Sequence, residues 1–205
     1  MKSNRELLFV AAFTVLAFMP GCSTAQDTQI NVTTPDDIVH IILDDAKPEK
    51  PSYCWKTMTN KRLQYLTPYL SPQIVYSLQE WIISRDKLAS LGSPEGAYDP
   101  LTYHKWQPEK ESIGKATYSG DTANVLVRET HEPGKIYSGY HGTSRYKFSR
   151  QNGKWKLDNI DFSRKYIASK GGEHVSLLQL LGETTLRMQR LYKSQLKIQS
   201  MQGKK

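Results

Sequence analysis

Two strands must meet at Asn152-Gly153. The dipeptide separates an aromatic and β-branched run over residues 140–149 from a second run over 154–162. Asn-Gly is the strongest short hairpin signal, because both central positions of the tight turn need a positive φ. Gly120-Asp121 makes a second turn of the same kind, between runs at 112–118 and 123–130. Ala123, Val125 and Val127 alternate with polar residues, so one face of that strand is buried and the other is more polar. Four antiparallel strands are therefore expected over residues 112–162.

The last of these runs carries a parity break. Trp155 and Leu157 would point to one face of a regular strand, and Ile160 and Phe162 to the other. One extra residue near Asp158-Asn159 returns all four to a common face, which predicts a β-bulge there. A bulge adds twist and bends the strand, so the sheet wraps around something.

Helices precede the strands. Thr34 is an N-cap, with Pro35 at the first helical position and Asp36 and Asp37 in the first turn. Ile38, Ile41, Ile42 and Leu43 supply the apolar face and Pro48 ends the segment. A short helix from Asn60 carries Leu63 and Leu66 and stops before Pro68. Ser71-Pro72 opens a third, in which Ile74, Val75, Leu78, Trp81 and Ile82 recur at helical spacing as far as Leu91, with Gly92 taking the left-handed position. A loop over 93–108 joins the two halves. A final helix is expected from Glu173 to Met201, with Leu177, Leu181, Met188, Leu191 and Ile198 on one stripe and Arg187, Arg190, Lys193 and Lys197 on the polar side.

The amino terminus gives an address. Lys2 and Arg5 precede an apolar run from Leu7 to Phe18, too short to span a bilayer and of signal-peptide length. Gly21 and Cys22 follow, and the whole resembles a bacterial lipoprotein export signal. The expected division is a signal peptide over 1–21, a linker over 22–33 starting at a lipid-bearing, palmitate-modified Cys22, a domain over 34–185 and a basic helical tail over 186–205. Pro20 departs from the usual lipoprotein pattern. The competing reading is cleavage after Ala25, since Ser23-Thr24-Ala25 is a small-x-small site. By resemblance to known lipoproteins, Ser23 after the cysteine implies the outer membrane, facing the periplasm. Loss or lipidation of Cys22 leaves Cys54 without a partner, so the domain has no internal disulfide. Cys54 lies between Tyr53 and Trp55 and reads as a small buried hydrophobe.

About 180 residues follow the leader, enough for one domain with its own core. The net charge of +8 is concentrated late: from Arg145 onward there are fourteen Lys or Arg against Asp158, Asp161, Glu173 and Glu183. An anionic surface or protein partner at Arg187, Arg190, Lys193 and Lys197 fits that excess, as does a solvated face. The exported address argues against nucleic acid.

The segments YLTPYLSPQIVYSLQEW (65–81), YDPLTYHKWQP (98–108) and GKWKLDNIDF (153–162) together resemble a bacterial family, domain of unknown function 3828, within the nuclear-transport-factor-2-like or cystatin-like superfamily. The resemblance spans about residues 35–185. Asp99-Pro100 matches the family's loop, whereas His104-Lys105 stands where Gln-Asp is expected. It implies an α+β fold: N-terminal helices packed on a strongly bent four-stranded antiparallel sheet, a cystatin-like cone, plus a C-terminal helix. It also implies an exported or lipid-anchored address, and no activity.

Superfamily enzymes place acids in the cone, and the acids available here are Asp99, Glu111, Glu129, Asp158 and Asp161. The catalytic candidates are Asp99 and His104, paired on a loop over a pocket mouth. The bland alternative has Asp99 capping a turn before Pro100 and His104 on the surface. Tyr103 and Trp106 are candidate pocket residues and Tyr146 a core residue; Tyr98, Tyr137 and Tyr140 fit either role. His131 and His141, near Glu129 and Glu132, lack the ligand number and spacing of a zinc site, so neither metal nor cofactor is expected. The preferred function is a non-enzymatic, envelope-associated binding protein. The alternatives are a small-molecule lyase or isomerase with a pocket in the cone, and an inhibitor or immunity protein that exposes a partner surface.

Overall fold

The computed structural model describes residues 34–47, 56–93, 98–103, 108, 110–131, 140–166 and 172–202, except for the side chains at 131, 140 and 166. The expected signal peptide, Cys22 and Cys54 lie outside these. Three helices come first: α1 (Pro35–Ala46), α2 (Asn60–Leu66) and α3 (Pro72–Ala89). Each begins where a side-chain oxygen meets an otherwise orphaned N–H. Thr34 Oγ1 accepts from Asp37 N, Thr59 Oγ1 from Arg62 N at 3.2 Å and Ser71 Oγ from Ile74 N at 3.5 Å. Beyond α3, Gly92 takes φ 84° and its N–H donates to Ala89 O at 2.9 Å.

Six strands follow: β1 (Lys110–Ile113), β2 (Thr117–Ser119), β3 (Thr122–His131), β4 (Tyr140–Gln151), β5 (Lys154–Tyr166) and β6 (Gly172–Ser176). They form one antiparallel sheet in the order β1-β3-β4-β5-β6, with β2 also on β3. Among the described residues the sheet has six strands, two more than expected. The expected first strand is two, because the chain breaks at Gly114–Ala116, where Gly114 N donates to Leu126 O at 2.8 Å. A Cβ on Gly114 would sit 3.1 Å from that oxygen, so glycine permits the close approach. The second addition is β6, which takes the residues expected to begin the last helix. That helix, α4, runs Leu177–Gln202.

The turn at Asn152-Gly153 has φ 51° and 76°, as a tight hairpin requires. The bulge falls at Asp158. Phe148 pairs with Leu157 and Lys147 with Asn159, which leaves Asp158 unopposed. Trp155, Leu157, Ile160 and Phe162 are accordingly all buried.

One sheet face carries Val125, Val127, Tyr146, Phe148, Ile160 and Phe162 into a core with Val39 and Ile42 of α1 and Leu78 and Trp81 of α3. Each such side chain taken out of water stabilises by about 1.5–3 kcal/mol. Helices α3 and α4 both start beside β5, where Ser71 N donates to Leu157 O at 2.9 Å and Leu178 N to Asn159 Oδ1 at 3.3 Å. Further along, Gln189 Nε2 donates to Ser84 Oγ at 3.3 Å, so the two helices run side by side in one direction. In that register the end of α3 lies level with Ser194. The last residues of α4 run about 12 Å beyond it. The opposite sheet face stays open: Arg128, His141, Arg145, Lys165 and His174 are all exposed.

Candidate functional site

The carboxyl-terminal end of β3 brings a row of charge across the inner face. Register places Glu111 opposite Glu129, Glu129 opposite Gly142, Gly142 opposite Arg164 and Arg164 opposite Glu173. Gly142 has no side chain, so the Glu129 carboxylate and the Arg164 guanidinium reach over it to meet at 3.3 Å, both buried. Arg164 also donates through Nη2 to Thr102 O at 3.1 Å and lies 4.5 Å over the Tyr103 ring. Tyr103 stacks on Phe162 with ring centroids 5.0 Å apart and donates its hydroxyl to Glu173.

Residues 98–103 are thereby fastened from beneath, and a second arginine holds their start. Asp99 is fully buried, with its Oδ2 2.6 Å from Arg62 Nη1, an ion pair off the ideal hydrogen-bond angle. Arg62 also pairs with Asp45 and donates to Ile42 O at 3.2 Å. The other oxygen of Asp99 accepts from Leu101 N at 3.0 Å, while Thr102 N returns to Asp99 O at 3.2 Å. This is a side-chain-stabilised turn before and through Pro100. It ends at Tyr103, whose φ of 60° is left-handed. Tyr146, fully buried, donates to Leu101 O at 3.3 Å.

The electrostatics follow from burial. Loss of water pushes the Asp99 carboxyl above its ordinary value, and Arg62 pulls it only part of the way back. Burial also opposes the Arg62 charge, but Asp99 and Asp45 together more than offset this and raise its value. The two partners differ because Arg62 has two carboxylates and Asp99 one guanidinium. Glu111 is pushed up, first by burial and then by Glu129, against the pull of Lys47. Tyr146 is pushed well above its ordinary value, chiefly by burial.

Asp99 is the buried anchor of a turn before Pro100, as the Asp99 half of the alternative reading expects. His104 and Trp106 lie outside the described residues, as do Tyr137 and Glu132. Tyr103 is half-buried and packed on Phe162, Tyr98 packs edge-on against Trp81, and Tyr146 is in the core. Of the other acids, Glu111 and Glu129 share the inner face, Asp158 accepts from Gln151 Nε2 at 3.1 Å, and Asp161 is on the outer face, 2.6 Å from Lys147 Nζ. His141 pairs with Thr130 and His131 with Tyr140, so the two histidines hold ladder positions of opposite parity. On α4, Arg187, Arg190, Lys193 and Lys197 are exposed.

Sequence reasoning missed both arginines. Arg164 was findable, since it continues the inward parity of Ile160 and Phe162 once the strand is extended to Tyr166. Arg62, in a short helix far earlier in the chain, gives no local sign of its carboxylate partners.

A concavity of about 490 Å³ opens on the outer face between β4, β5, β6 and the first turn of α4. Compared with known proteins, the chain matches no family model, no curated protein and no solved structure.

Proposed function

We infer that the chain is an exported protein held in the bacterial cell envelope by a lipid on Cys22, at the outer membrane facing the periplasm, and that it binds rather than catalyses. The observation carrying the second half is the state of Asp99. It is fully buried, ion-paired with Arg62 and engaged by Leu101 N–H, so neither carboxylate oxygen is open to a substrate. General acid–base work needs a group within hydrogen-bond reach of a substrate proton. Glu129 is likewise buried and ion-paired, at 3.3 Å from Arg164 Nη2.

The kinship with domain of unknown function 3828 and its cystatin-like cone is part of this reading. It is supported by helices preceding an antiparallel sheet, by the bulge at Asp158 and by the packing of α1 and α3 against the inner face. The lipid anchor is supported by the order of charge, apolar run, Gly21 and Cys22.

Mass spectrometry of the amino-terminal peptide from envelope-purified protein tests the address. A diacylglycerol thioether on Cys22 is expected, with release into the soluble fraction on Cys22→Ser. An unmodified terminus at Gln26 would reject lipidation. Turnover of a small molecule that vanishes in a folded Asp99→Asn, His104→Ala variant would reject the binding reading.

A further inference from the structure

The outer-face groove holds a guanidinium that its own strands leave unmatched. Thr143 and Arg145 of β4, Asp161 and Ser163 of β5, and His174 and Ser176 of β6 line it, with Gln179 of α4 at one end. Arg145 stands directly opposite Asp161, where a cross-strand salt bridge is expected. Asp161 instead pairs with Lys147, Oδ2 to Nζ, at 2.6 Å. On its other side Arg145 faces Leu126. Among the described residues its side chain has neither an ion pair nor a hydrogen bond.

Next to the row formed by Arg145, Asp161 and Ser176 runs a second, formed by Thr143, Ser163 and His174. Two residues along a strand separate the rows, about 7 Å. That is the span of a small molecule with two or three polar groups. A guanidinium fork matches the two oxygens of a carboxylate or phosphate. The hydroxyls and the imidazole supply further polar contacts, and Asp161, already neutralised by Lys147, keeps acceptor capacity for a hydroxyl or amine.

We propose that this groove binds a small organic anion, with its phosphate or carboxylate on Arg145, Ser163 and His174 and a neighbouring hydroxyl or amine on Asp161. The proposal gives the binding reading a ligand class and a place. It needs no movement of the inner-face pairs.

The test is calorimetric titration of the full chain in detergent with glycerol 3-phosphate and, separately, citrate. At least one is expected to bind saturably at one site, and Arg145→Ala is expected to weaken it about tenfold, the worth of one charged hydrogen-bonded contact. Arg128→Ala, on the same face but outside the groove, should change affinity less than about twofold. No saturable binding by either anion overturns the proposal. Equal losses in the two variants also overturn it, because that is the behaviour of diffuse positive charge. A chain found to start at Gln26 leaves this titration unaffected, so failure of the lipid anchor and failure of the groove are distinguishable.

Discussion

Replacing Arg62 by Met should cost far more than replacing its partner Asp99 by Asn. Arg62 serves three acceptors, the carboxylates of Asp45 and Asp99 and the carbonyl of Ile42. Arg62→Met keeps an unbranched apolar stem but strands a fully buried carboxylate, and breaking a buried pair in this way costs about 3–5 kcal/mol. Asp99→Asn leaves a carbonyl oxygen to accept from Leu101 N, and Arg62 keeps Asp45 and Ile42 O. Because burial already disfavours the Asp99 charge, losing this contact costs at most about 1 kcal/mol. The double variant strands no fully buried charge, only the part-exposed Asp45 carboxylate, so it should fall short of the summed single losses by about 2 kcal/mol. Urea denaturation followed by circular dichroism reads this directly. With a slope of about 2 kcal/mol per molar, Arg62→Met moves the midpoint by about 2 M and Asp99→Asn by less than about 1 M. Equal or reversed single losses, or additivity within about 0.5 kcal/mol, would refute the claim that Arg62 is what keeps Asp99 in place.

Glu111→Gln should raise stability at pH 7 relative to the native chain and lose that advantage on acidification. Burial lifts the folded-state value of Glu111, so its protonated form is favoured by the fold and its ionisation at neutral pH opposes folding. The two melting curves should converge below the ordinary glutamate range, about pH 4, and a constant gap across pH would contradict the assignment. Gly142→Val should destabilise by about 3–5 kcal/mol by parting Glu129 from Arg164, although strand propensity alone predicts a gain. A stabilised Val variant in thermal melts would show that the pair does not pass over this residue. Gly153→Ala should cost about 1–2 kcal/mol for its φ of 76° with open space around it, and a neutral result would reject the tight turn.

The parts of this fold that local chemistry decides were legible. Asn152-Gly153, the caps at Thr34 and Ser71, and the parity break resolved at Asp158 each act over a few residues, and each appears where it was expected. Glu129 was readable as inward because it continues the alternation of Val125 and Val127. The misses occur where tertiary pairing overrides local pattern. Glu173-His174-Val175-Ser176 leads into the apolar start of a helix and reads as its first turn, yet β5 captures it as an edge strand. The site was half legible for the same reason. Asp99 before Pro100 announces a turn, but the arginine that makes its burial tolerable sits in another element, and no spacing rule connects them.

The two sheet faces place different demands on charge. On the inner face a charge without a partner costs several kcal/mol, so the pairing of Arg62 with Asp99 and of Arg164 with Glu129 is a condition of folding and carries no functional message. On the outer face an unpaired cation costs almost nothing, so exposure alone carries no message either. What distinguishes Arg145 from Arg128 on that face is surroundings. Arg145 sits in a concavity with three hydroxyls and an imidazole, with its natural cross-strand acid taken by Lys147, whereas Arg128 stands outside it. Both arginines would attract an anion from a distance, but only the one with converging neighbours can select among anions by shape.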